Sequence, residues 1–86
     1  MATGATATPR NDGAMTGRPV KHSLTLRGHR TSVSLEAPFW AAFREIAAAE
    51  GKGVNELAAE IDAARGVSAG LASAIRAYVL AYYRQA

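Results

Sequence analysis

The 86-residue sequence predicts a mainly helical domain entered through a short β-ribbon, and three observations carry that expectation. Residues 1–19 are small and polar. Residues 21–35 alternate apolar and polar side chains, and from residue 37 onward the large apolar side chains recur at three- and four-residue spacing. Alternation marks a half-buried strand, whereas the longer spacing marks one face of an amphipathic helix.

Residues 1–19 hold almost no large apolar side chain, so they cannot offset the entropy of ordering and are expected to form a flexible tail. Met15 lies inside this tail and offers a second start point, which the intact mass of the native protein would test. The folded domain is expected over residues 20–86.

Within Ser23-Leu24-Thr25-Leu26-Arg27 the apolar positions are even. Within Arg30-Thr31-Ser32-Val33-Ser34-Leu35 the apolar Val33 and Leu35 are odd, with Arg30, Ser32 and Ser34 on the opposite face. Parity therefore flips across Gly28-His29, and one straight strand cannot bury both apolar sets. Either a bulge intervenes or a tight hairpin does, with Gly at its first central position. The polar set Ser23, Thr25 and Arg27 then widens the outward face or folds back beside it.

Pro38 suits the start of a helix, where its missing amide proton would be unpaired anyway. Phe39, Trp40, Phe43, Ile46 and Ala47 form the apolar face of this first helix, which Gly51 ends. Asn55 is a good N-cap for a second helix with Leu57, Ala58 and Ile61 inward, interrupted after Arg65 by Gly66-Val67-Ser68. Ser68 can cap a third helix, with Leu71, Ile75, Tyr78, Val79 and Tyr82 on one face.

Charge is unevenly placed. Residues 21–35 hold Lys21, Arg27 and Arg30 with no acid, while residues 36–66 carry six acids against three bases. A basic patch of β character points to a polyanionic partner, and equally to a strand edge kept soluble by charge. With no cysteine there is no disulfide or thiolate site, and His22 and His29 lack a nearby carboxylate cluster. Neither a metal nor a cofactor is expected. No nucleophile has an obvious His partner and no Gly-rich phosphate loop is present, so an enzyme is not expected either. No apolar run approaches the roughly 20 residues that span a bilayer, and no apolar leader is visible, so a soluble cytoplasmic protein is expected.

A lone strand needs a partner for its backbone groups, and so small a domain is often completed by a second chain. Two copies with strands paired antiparallel across a two-fold axis meet both needs. Val33, Leu35, Trp40, Phe43, Leu57 and Ile61 would then form the dimer core. A two-stranded ribbon of this kind fits the DNA major groove, where Arg, Ser and Thr can bond base edges.

Three stretches carry a family resemblance. Arg30-Thr31-Ser32-Val33-Ser34-Leu35-Glu36 with Phe39-Trp40 resembles the strand-to-helix core of short bacterial ribbon-helix-helix proteins, in the superfamily of the Arc and MetJ repressors. Gly51-Lys52-Gly53-Val54-Asn55-Glu56-Leu57 is similar to the family's inter-helix turn, and Leu71-Ala72-Ser73-Ala74-Ile75-Arg76-Ala77-Tyr78-Val79 is similar to its tail. The resemblance implies an intertwined homodimer that binds double-stranded DNA, usually as a repressor. It implies base reading by Arg30, Ser32 and Ser34, with Arg27, Thr25 and Ser23 as additional contacts. Phosphate anchoring would fall to Val54 and Asn55 at the start of the second helix. Gly53 stands where the family often has a hydroxyl, and Lys52 would compensate. The third helix is an addition to the minimal fold.

Trp40 and Phe43 read as core rather than as a ligand box. Tyr78, Tyr82 and Tyr83 cap a small core, line an interface or face a partner. A second function class stays open: a dimeric adaptor or antitoxin-like protein whose residues 67–86, with Arg76, Tyr78 and Tyr82, dock another protein.

Overall fold

A computed structural model describes residues 17–65 and 70–85 of the chain. Two strands, β1 (Val20–Leu26) and β2 (His29–Leu35), precede three helices, α1 (Ala37–Ala49), α2 (Val54–Ala64) and α3 (Leu71–Gln85). Of the expected tail only residues 17–19 are described; they are exposed and belong to no strand or helix, and Met15 lies outside the described residues. The expected Ser68 cap lies outside them too, and Gly70 accepts the first α3 bond, from the Ala74 amide at 3.0 Å.

The parity flip is resolved by a hairpin within the chain. β1 and β2 pair antiparallel from Val20↔Leu35 to Leu26↔His29. A two-residue connection pairs every even position of β1 with an odd position of β2, which puts both apolar sets on one face. Gly28 is not the first central residue of the turn, however. Arg27 holds that place at φ 53° and Gly28 follows at φ 85°. Positive φ at both central positions is the mark of a type I′ turn, whose twist matches that of the paired strands. The sequence pattern sends the strand to a second chain for its partner, whereas the structure closes the ribbon inside one.

The inner ribbon face contributes Leu24, Val33 and Leu35 to a single core. α1 adds Phe43, Ile46 and Ala47, α2 adds Leu57, Ala58 and Ile61, and α3 adds Ile75 and Val79. Leu35, Phe43 and Ile75 are each 0% exposed, and no polar or charged side chain is buried among the described residues. Trp40 is half-buried against this core, where it stacks on His22 with ring centroids 3.9 Å apart and planes 6° from parallel. All six side chains expected at a dimer core thus meet within one chain.

α1 stops at Gly51, whose φ of +72° continues no right-handed helix. The Lys52 amide returns to the Ala47 carbonyl at 2.9 Å and the Gly51 amide to Ala48 at 3.1 Å. These two bonds satisfy the last carbonyls in a Schellman arrangement. α2 then begins after Gly53, not after Asn55. Gly53 is extended (φ −73°, ψ 157°) and accepts the Leu57 amide at 3.0 Å. Asn55 lies too deep in the first turn to cap, and its side chain is used elsewhere.

Candidate nucleic-acid interface

The face of the ribbon opposite the core is built from three cross-strand pairs, Lys21↔Ser34, Ser23↔Ser32 and Thr25↔Arg30. All six side chains are exposed, and Arg27 extends the set at the tip of the turn. Directly opposite residues of an antiparallel pair share a face, so the hairpin sets the two polar rows side by side. The second set folds back beside the first rather than lengthening it. Lys21 belongs to this face as well. The alternation marks it as an odd, outward position, although sequence reasoning counted it only as charge.

Among the described residues none of Arg18, Lys21, Arg27 and Arg30 forms an ion pair. The first acid after the ribbon is Glu36, and it is neutralised locally. Arg76 donates from Nε to Glu36 Oε1 at 2.9 Å and from Nη2 to Oε2 at 3.1 Å. This forked contact holds the Glu36 carboxyl below its usual range, with the Arg76 hydrogen bond as the largest cause. Its effect is to withdraw the one nearby negative charge from the field of the ribbon. The same guanidinium lies 6.0 Å from the Phe39 ring centroid and reaches the Ser34 carbonyl at 3.5 Å. Arg76 is therefore committed within the chain, which removes it from the docking set considered for the third helix.

The four residues expected to anchor phosphate are not equally free. Lys52 donates to Glu60 at 2.6 Å, and that hydrogen bond raises the Lys52 pKa. Its charge is shared with a carboxylate on α2. The Asn55 Oδ1 accepts the Thr25 backbone amide at 3.0 Å, tying the start of α2 to the open edge of β1. Gly53 and Val54 keep the backbone positions at the helix start, where the first amides have no partner within the helix. Glu56 in the same turn opposes an anion there. Nothing local in the sequence signals the Asn55–Thr25 or Glu36–Arg76 contacts, which span 30 and 40 positions.

Tyr78 and Tyr82 are half-buried and pack on the core, while Tyr83 is exposed and donates to Glu45 at 3.4 Å. Burial raises the phenol pKa of Tyr78, and burial and Glu45 raise that of Tyr83. Among the described residues no group of three acidic or histidine side chains could hold a metal ion, and no helix is long and apolar enough to cross a membrane.

A cationic, acid-free ribbon face backed by a helical core defines a class: a DNA-binding regulator rather than an enzyme. The ribbon-helix-helix domain family model matches residues 19–83, and the chain belongs to that family. Among the curated proteins and among the solved structures, none matches the chain significantly.

Proposed function

We propose that this protein is a sequence-specific transcriptional repressor that acts as a homodimer and inserts its β-ribbon into the major groove of DNA. One observation carries the reading: the outward ribbon face combines Lys21 and Arg30, neither in an ion pair among the described residues, with four hydroxyl side chains and no acid. Arg30 can donate two bonds to the O6 and N7 edge of guanine, and Ser or Thr can bond several base edges. The backbone amides at the start of α2 flank the β1 edge and suit a phosphate beside the groove. Two copies would match a palindromic site with half-sites one helical turn apart.

The test is Arg30→Ala in a mobility-shift titration against duplexes selected from a random library by the unaltered protein. The variant is expected to lose about 1–3 kcal/mol of binding and to relax base preference at one position of the site. Unchanged affinity and preference would sink the reading. A second reading, protein docking through α3, rests on Leu80. It is 57% exposed, among the exposed Ser73, Ala77 and Ala81. A pulldown that depends on Leu80 but not on Arg30 would favour it.

A further inference from the structure

We infer that one protomer carries a complete reading ribbon, so that a single chain reads one segment of major groove without a strand from a second copy. The inference rests on the DNA-binding reading above and fixes which strands enter the groove.

Four features support it. The Arg27-Gly28 turn joins the strands directly, in a register that runs the full length of both. The inner face is covered by the chain's own helices: Leu24, Val33 and Leu35 are 3%, 4% and 0% exposed, and α3 supplies Ile75 and Val79 to that cover. Both outer edges are held from within, at Thr25 by Asn55 and at Ser34 by Arg76. Size decides the rest. Paired strands lie roughly 5 Å apart, so a two-stranded ribbon enters a groove about 12 Å wide. A partner β2 added at the edge of this hairpin would make a sheet of four strands, about 14 Å between its outer strand axes before any side chain. That sheet is too wide for the groove, so a β2–β2′ pairing and groove reading by this hairpin exclude each other.

The recognised element is then a short stretch of B-form duplex. From residue 21 to residue 25 the strand advances about 13 Å, the rise of about four base pairs. Lys21, Ser23 and Thr25 read it together with Arg30, Ser32 and Ser34, and a dimer brings two such ribbons to two half-sites.

The experiment starts from duplexes enriched by the full-length protein from a random 20-base-pair library. The enriched duplex is shortened to one half-site and the complex weighed by native mass spectrometry. One chain per half-site is expected; complexes holding only two chains would overturn the inference. In parallel, Lys21→Ala is expected to weaken half-site binding by at least about fivefold. Arg44→Ala, an exposed cation on α1, is expected to leave it unchanged. Equal behaviour of the two variants would count against β1 in the groove. Ser32→Cys adds the only cysteine of the chain. Oxidation to a Ser32→Cys disulfide dimer should abolish binding relative to the same variant reduced, and retained binding would mean that β2 pairs with β2′ on DNA. A protein that enriches no duplex at all refutes DNA reading itself. Enrichment with the wrong stoichiometry refutes only the single-chain ribbon.

Discussion

Glu36 and Arg76 meet in a forked contact of 2.9 and 3.1 Å across 40 positions of sequence, fastening α3 to the junction of β2 and α1. Because the guanidinium holds the Glu36 carboxyl below its ordinary value of 4.5, the folded state binds this proton less readily than the unfolded chain. Stability from the pair is therefore complete above about pH 4.5 and is lost as pH falls through the lowered value. Thermal melts between pH 6 and pH 3 should show the unaltered protein losing more stability than Glu36→Gln. Parallel curves would show that the pair contributes nothing.

Asn55 replaces a neighbouring strand at the Thr25 amide. Asn55→Ala should cost about 0.5–1.5 kcal/mol, the usual net worth of such a bond. The more specific readout is hydrogen exchange, which should speed up at Thr25 while amides within the β1–β2 ladder, such as Leu24, change little. Uniform acceleration across the hairpin would instead mean general destabilisation.

His22 lies flat against Trp40, the only tryptophan of the chain. His22→Ala should lose about 0.5–1.5 kcal/mol of ring–ring contact and shift Trp40 emission to longer wavelength as water reaches the indole. Emission and melting temperature both unchanged would mean the rings do not stack in solution.

Gly51 stands at φ +72° with nothing within 4 Å of where a Cβ would lie. Gly51→Ala therefore meets no steric clash, only the left-handed backbone penalty of about 1–2 kcal/mol. Chemical denaturation should show that loss with an unchanged slope on denaturant. A stabilised variant would show that α1 simply runs on.

Elements and faces are legible because hydrophobic periodicity is a local property. Val33 and Leu35 inward, Ser32 and Ser34 outward, and the inward sets of all three helices follow from spacing along the chain. The cap of α2 lies two residues before the expected Asn55, because Asn is a good N-cap in isolation yet here its side chain has a longer-range use at Thr25. Parity narrows the turn to two devices, and Arg27 occupies the left-handed position expected of a glycine. Both φ values are set by closing the hairpin over a core that local propensity does not register.

The chain by itself determined a tail, a ribbon and three amphipathic helices, the outward Arg30-Ser32-Ser34 row and the basic patch around it. Only the tertiary structure decided that the strand's partner is its own neighbour. It also decided that Lys21, Ser23 and Thr25 lie beside the first row, and that Arg76 and Asn55 are spent on holding the ribbon. The reason is physical. Periodicity assigns a side chain to a face, but which face meets which is settled by burying Leu35, Phe43 and Ile75 together while leaving no backbone edge or charge in the core unsatisfied.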